Sequence, residues 1–390
     1  MNSLFDEIIN RRGTNCGRWD TMDTLYKDTE IIHMGVADMD FKSPPAIIKG
    51  FKEIIDQGVF GYTDLSEGLF NSIQRWYIKQ YEIKIPKEWI VFCPRINISS
   101  SLCVSIFSNE GDDVIINTPA YGPLQNSITK NNRNKVFSNL KLEDDLYLID
   151  WTDMNKKVSN KTKMMILCNP HNPTGRVWNK KELVEVSDFC IEKDILLYCD
   201  EIHGDITANG IKHTTMINLS DELNERLIVA GSMTKTFNIP GVIVSFLIIP
   251  NKQLRDKVKE EIDRIGMHNP SIFAVKAVEE AYNNCDEWYE EMKEYIDGND
   301  DLVRGFLSEK FPEFKVMPRQ GTYLLWINYS KSGKTSKEIE TWFLEKAKVS
   351  VYMGDVFGQG GDGFFRFNLA SSKLIIQEVL NRMEEAKKFL

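Results

Sequence analysis

Short apolar runs alternate along the middle of the chain with stretches in which apolar residues recur every three or four positions. Residues 163–168 form one such run, and 195–199, 226–230 and 242–249 repeat it. Apolar runs of this length read as strands buried on both faces. Between the first two, 179–190 places Leu183, Val186, Phe189 and Cys190 at helical spacing. Strands alternating with helices predict an α/β fold with a mostly parallel central sheet flanked by helices. Beyond about residue 281 the pattern changes to a long charged helix, 286–307, then strand-like runs at 322–327 and 363–368. The chain thus divides into a large domain over 50–280 and a smaller α+β domain from 1–49 and 281–390. No repeat or low-complexity linker separates them.

The polar motifs follow the strand-like runs, where parallel sheets gather their ligands. Asn169-Pro170-His171-Asn172-Pro173-Thr174-Gly175 follows the first run. Asp200-Glu201-Ile202-His203 follows the second, and Ser232-Met233-Thr234-Lys235 the third. An amide, a carboxylate and a lysine in this order suit pyridoxal 5′-phosphate, an electron sink that needs definite partners. Lys235 is the candidate covalent anchor and base. A lysine chosen at random is a solvated surface group, and only its place in a Ser/Thr-rich turn after a buried strand sets this one apart. Asp200 is suited to keep the pyridine nitrogen protonated; its plain alternative is a helix cap or a solvated carboxylate. Asn172 sits in a rigid turn that suits donation to the phenolic oxygen. His203, three residues beyond Asp200, is a second candidate for that oxygen, or a structural histidine. Ser232 and Thr234 offer hydroxyls to a phosphate.

Two further residues complete the candidate set. Tyr121, in Thr118-Pro119-Ala120-Tyr121-Gly122-Pro123, offers a ring to stack on the pyridine, or else packs on the surface as a turn residue. Arg366 lies inside the apolar run 364–369, where a guanidinium needs an anionic partner. A substrate α-carboxylate held bidentately is one such partner; an internal Asp or Glu is the other.

Composition narrows the function. The 390 residues are 42% hydrophobic and 11% aromatic, as in a folded enzyme. Lys plus Arg number 48 against 57 Asp plus Glu, a net charge of −9. That excludes a general nucleic-acid binder while leaving room for one phosphate pocket. The seven cysteines form no CxxC pair and read as buried thiols in a reducing compartment. The first residues mix acids with few apolar side chains, unlike a signal peptide. The longest apolar run, 242–249, is far short of the roughly 20 residues that span a bilayer. A cytoplasmic protein with no membrane contact is expected. Gly358, Gly360 and Gly363 spell GxGxxG, but before a strand-like run, so a flexible loop is expected there. Cys168 with His171, or Asp38 with Asp40, lacks a second pair at zinc spacing, and no metal is expected.

These motifs resemble the fold-type I pyridoxal-phosphate enzymes of the class I/II aminotransferase superfamily, and most closely its MalY/PatB-type cystathionine β-lyase branch. The likeness spans nearly the whole chain. It includes Arg12-Gly13-Thr14, Trp19-Asp20, Ala37-Asp38-Met39-Asp40-Phe41, Phe60-Gly61-Tyr62, Asn169 through Trp178, Asp200 through His203, and Lys235-Thr236-Phe237-Asn238. The resemblance implies a cofactor anchored on Lys235, with Asp200 at the ring nitrogen and Asn172 and Tyr121 at the ring. It implies phosphate contacts from Ser232 and from Tyr62 of a neighbouring subunit, hence a homodimer. It gives Arg366 the carboxylate of a small amino-acid substrate, with Tyr62 and Asn172 beside it.

Two departures matter. Many aminotransferases carry an arginine eight residues after the lysine, and here that position is Ile243. Where the family tends to a small Gly-Val turn, this chain has Pro94-Arg95-Ile96-Asn97. Either Arg95 supplies the missing cation, or backbone amides near Ile96 hold the phosphate. The implied reaction is α,β-elimination on cystathionine or a related S-substituted L-cysteine, giving a thiol, pyruvate and ammonia. An aminotransferase is the second reading, and a regulatory protein retaining the fold the third.

Overall fold

The computed structural model describes residues 3–390. A seven-stranded sheet runs in the order Ile90–Cys93, Ser245–Ile248, Leu227–Gly231, Leu196–Asp200, Thr162–Cys168, Asp113–Thr118, Asn134–Asn139. Six strands share one direction, and Ser245–Ile248 alone opposes both its neighbours. Cys93, Thr118, Cys168, Asp200 and Gly231 therefore end along one edge. Met164, Ile166, Tyr198, Ile228 and Leu247 pack on one face, with Cys103 and Val104 of the helix Ile96–Phe107. Met165, Leu167, Leu197, Val229 and Phe246 pack on the other. Both faces are covered, which is why the strands read as continuous apolar runs.

A four-stranded antiparallel sheet follows, in the order Lys315–Val316, Leu324–Asn328, Phe364–Asn368, Tyr352–Met353. The segment Ile32–His33 pairs in parallel with Val349–Ser350, which lays the chain's start beside this smaller sheet. The helix Asp286–Lys310 leads into it. The helix Pro45–Gln57 packs on Ile272–Asn284, which also packs on Glu67–Tyr81.

Most expected elements fall within a few residues of the observed ones. Lys180–Glu192 is a helix whose first turn is closed by reciprocal hydrogen bonds between Asn179 and Glu182. The run 242–249 differs: only Ser245–Ile248 is a strand, and Pro240–Val242 is a 3-10 turn. Ile243 takes φ 61°, a left-handed conformation that a β-branched residue rarely adopts. That bend ends the turn and delays the strand. The glycine-rich segment does precede a strand, Phe364–Asn368, but it is docked. Just before it the Phe357 carbonyl accepts from Ala120 N at 2.9 Å and from Gln125 Nε2 at 3.0 Å, and within it Gly363 O accepts from Tyr329 N at 2.8 Å. Among the described residues no helix is long and apolar enough to cross a membrane.

Candidate active site

Lys235 lies in a tight turn beyond Leu227–Gly231. Ser232 shapes this turn: its hydroxyl accepts from Thr234 N at 3.1 Å and donates to Val244 O at 2.7 Å. On the far side Thr236 Oγ1 donates to Asp205 Oδ2 at 2.8 Å. Phe237 is buried among Trp76, Tyr282, Trp288 and Tyr289. Lys235 is thus held from both directions. Its Nζ donates to Ala37 O at 2.5 Å. Burial is the main cause that brings its pKa down to about 8, against the pull of Asp38 and Asp200.

Asp200 closes its strand in register with Cys168 and Ala230. Only 3% of it is exposed, and its Oδ1 accepts from Ile202 N at 3.1 Å. Burial pushes its pKa up to about 7, with Lys235 pulling it down. Burial sets the solvated alternative aside; no helix follows Asp200 for it to cap, and its backbone bond to Ile202 holds only a turn. His203 follows, buried, with its pKa brought down to about 3 by burial and by the Lys235 and Arg366 charges. It is a neutral ring.

Asn172 stands in a turn braced by its own neighbours. His171 Nδ1 and Thr174 Oγ1 are 2.9 Å apart, and Gly175 N donates to His171 O at 2.8 Å. Gly175, at φ 73°, then accepts through its carbonyl from Gln320 N and Gly321 N, which ties the turn to the connection between the first two strands of the smaller sheet. Asn172 Oδ1 accepts from Arg366 Nη1 at 2.9 Å, and Gly35 O accepts from Nη2 at 2.8 Å. Tyr352 and Phe357 flank the same guanidinium at 5.2 and 4.8 Å. Arg366 is 2% exposed, and among the described residues no carboxylate pairs with it. Burial lowers its pKa to about 10. The internal Asp or Glu that a buried arginine could take as partner is not what this one has.

Lys235, Asp200, His203, Asn172, Tyr121, Ser232, Thr234, Arg95 and Ile96 line one cleft, with Ala37, Asn97, Cys168 and Ile243. Tyr121 is half-buried at the cleft beside Asn97, with its phenol pushed up chiefly by desolvation; it is not packed on the outer surface. Arg366 reaches the cleft through Asn172. Tyr62 does not: it is fully exposed on the loop after Pro45–Gln57. Ala37 lines the cleft, and the buried Tyr323 and Asn368 hold the carbonyls of residues 36–38 from behind it. None of the three has a role legible in the sequence: Ala37 is only part of a motif there, and Tyr323 and Asn368 read as core residues of strand-like runs.

The donor set fits pyridoxal phosphate. His203 Nδ1 and Arg366 Nε are buried atoms without a partner in the chain, and such atoms call for one. Asp200 offers a carboxylate to the cleft and Asn172 an amide nitrogen. The start of Ile96–Phe107 lines the same cleft as the Ser232 and Thr234 hydroxyls, which lie 2.8 Å apart. A helix start with hydroxyls beside it suits a phosphate.

Comparison with known proteins agrees. Residues 29–383 match the family model described as aminotransferase class I and II. The chain is 35% identical to the cystathionine β-lyase PatB of Bacillus subtilis over 383 residues, 98% of this chain and 99% of the relative. It superimposes on cystalysin from Treponema denticola, whose structure contains pyridoxal 5′-phosphate, with a TM-score of 0.96, 33% identity and full coverage of both chains. The pyridoxal-phosphate-bound C–S lyase from Staphylococcus hominis gives a TM-score of 0.92 at 29% identity, covering 99% of this chain and 98% of that one. The chain therefore belongs to the aminotransferase class I and II family, and its cofactor is pyridoxal 5′-phosphate.

Proposed function

We propose that this protein is a pyridoxal-phosphate-dependent carbon–sulfur β-lyase. It carries out α,β-elimination on cystathionine or a related S-substituted L-cysteine, releasing a thiol, pyruvate and ammonia. The observation that carries the reading is a buried guanidinium without a carboxylate, bonded to an amide on the wall of the cleft that holds Lys235. Such a group binds a substrate α-carboxylate.

The bound cofactor supplies an aldehyde for the substrate amine and a sink for the electron pair left at Cα. The chain does the rest. Arg366 grips the substrate carboxylate, and Asn172 orients Arg366 while its amide nitrogen serves the ring oxygen. Lys235, with its lowered pKa, takes the Cα proton near neutral pH. With the cofactor bound, Asp200 would keep the ring nitrogen protonated and neutral His203 would bond the phenolic oxygen. Tyr121 would lie against the ring, and Thr234, the amides at Ile96 and the Ser232 hydroxyl, once turned from Val244 O, would hold the phosphate.

Tyr62 of the partner subunit completes the phosphate end in a homodimer. Support for this comes from the exposed apolar loop Val59, Phe60, Tyr62, of the kind that marks interfaces. Purified protein with cystathionine should release pyruvate and thiol in equal amounts. Amino transfer to a second keto acid without thiol release would replace this reading with the aminotransferase one.

A further inference from the structure

Tyr323 belongs to none of the motifs above, yet it shares an acceptor with Lys235. Its hydroxyl donates to Ala37 O at 3.0 Å, and Lys235 Nζ donates to the same oxygen at 2.5 Å. A carbonyl has two lone pairs and takes both. The residue before it, Thr322, holds φ 66°, a conformation a β-branched residue keeps only when its surroundings impose it. They do: Thr322 N donates to Ile206 O at 2.7 Å, and Arg319 Nη1 donates to Thr322 O at 2.9 Å. The strained residue fixes the direction from which Tyr323 reaches Ala37 O. The acceptor is fixed as well. Asn368 Nδ2 donates to Val36 O and to Asp38 O, each at 2.7 Å, on either side of Ala37.

We propose that Tyr323 is a positioning residue for Lys235: its hydroxyl holds the Ala37 carbonyl as the docking point of the lysine amine, so that the freed amine aims its lone pair at the substrate Cα. Lys235 alternates between anchor and base. While it serves as anchor, Tyr323 is the donor left to this half-buried carbonyl at the cleft wall, and the docking point stays in place for the amine's return. Burial raises the Tyr323 phenol far above its ordinary value, so it acts as a donor and never as the base. The charged and titratable groups that face Lys235 are Asp38, Asp200, His203 and Arg366. Tyr323→Phe leaves all of them in place, so a change in Lys235 titration reads the hydroxyl alone.

The inference rests on Lys235 being the base of the lyase reaction. The test compares wild type, Tyr323→Phe and Tyr147→Phe. Tyr147 is another buried tyrosine, whose hydroxyl accepts from Trp326 Nε1 at 3.0 Å away from the cleft. Holoenzyme gives kcat, KM and the isotope effect with substrate deuterated at Cα. Cofactor-free protein gives the pH midpoint of Lys235 labelling by an amine-reactive reagent, read by mass spectrometry. In Tyr323→Phe, kcat falls about 10- to 100-fold with KM within about threefold, and the isotope effect rises. The Lys235 midpoint moves up by about half a unit, because the carbonyl then serves the ammonium alone. Tyr147→Phe changes neither the isotope effect nor the midpoint. A Tyr323→Phe protein with wild-type isotope effect and midpoint overturns the proposal, and so does an equal response in Tyr147→Phe. Should wild type release no pyruvate, the lyase reading fails, while the Lys235 midpoint still judges Tyr323.

Discussion

Arg366 donates through Nη1 to Asn172 Oδ1 at 2.9 Å, joining the smaller sheet to the turn beyond Thr162–Cys168. Both outer arms of the fork are steadied by neutral acceptors, and the buried Nε has none. The positive charge is thus kept for a ligand. Arg366→Ala should raise KM for an S-substituted cysteine about 100-fold while kcat falls less than tenfold. Arg366→Lys should recover little of this, since an ammonium cannot reproduce the planar fork. Steady-state kinetics of the two variants decides it; an unchanged KM in Arg366→Ala removes the carboxylate role.

Asp200 makes the cofactor-free protein sensitive to pH. In the unfolded chain the carboxyl ionises near 3.8, and in the fold only near 7. Between these values the folded state holds a proton that the unfolded state has lost. The contribution of Asp200 therefore favours folding below about pH 4 and is lost as pH rises to 7. Three units correspond to about 4 kcal/mol. Lys235, which titrates near 8 when folded, stays charged across that window. Asp200→Asn should raise the Tm of cofactor-free protein by a few degrees at pH 8, leave it unchanged at pH 4, and lower activity at least about 100-fold. Thermal unfolding at the two pH values is the measurement. A lower Tm at pH 8 would mean that Asp200 ionises freely in the fold.

The residues legible in the sequence are those whose chemistry sits in a short string at a strand end. Asn172, Asp200 and Lys235 each follow an apolar run, and parallel pairing through Cys168, Asp200 and Ala230 brings them together. Arg366 was legible because a charge within an apolar run needs a reason. Ala37, Tyr323 and Asn368 were not, since they act through backbone carbonyls on segments about 290 to 330 residues apart in sequence. Nothing in a tyrosine within an apolar run separates a core ring from a hydroxyl with a task. The bend at Ile243 was hidden for another reason: a β-branched residue in an apolar run reads as strand, and only its tertiary setting holds it at positive φ.

Tyr62 lies outside the cleft of its own chain, so its proposed role can be tested by mixing. Lys235→Ala and Tyr62→Ala should each be nearly inactive alone. Refolded together, half the dimers are mixed, and in each of these one of the two sites carries both native residues. About a quarter of wild-type activity should return. No recovery, with mixed dimers demonstrated by native mass spectrometry, places Tyr62 outside the partner's site.

Asp205 supports Lys235 from behind. It accepts from Trp76 Nε1 at 2.9 Å, Tyr81 Oη at 2.7 Å and Thr236 Oγ1 at 2.8 Å, and it is nearly buried. Three neutral donors thus converge on one carboxylate, and Thr236 is the neighbour of Lys235. Asp205→Ala leaves all three donors without an acceptor, at a cost of about 3 kcal/mol or more. Thr236→Val removes one bond and leaves the other two, so it should cost about 1 kcal/mol. The two variants separate stability from catalysis. Asp205→Ala should lower Tm by several degrees, whereas Thr236→Val should lower it little and still slow kcat, because the turn carrying Lys235 loses its side-chain tether. Denaturant unfolding and kcat measured on both proteins test this. Equal losses of stability, or an unchanged kcat in Thr236→Val, would show that the turn is held by Ser232 and Phe237 without Asp205.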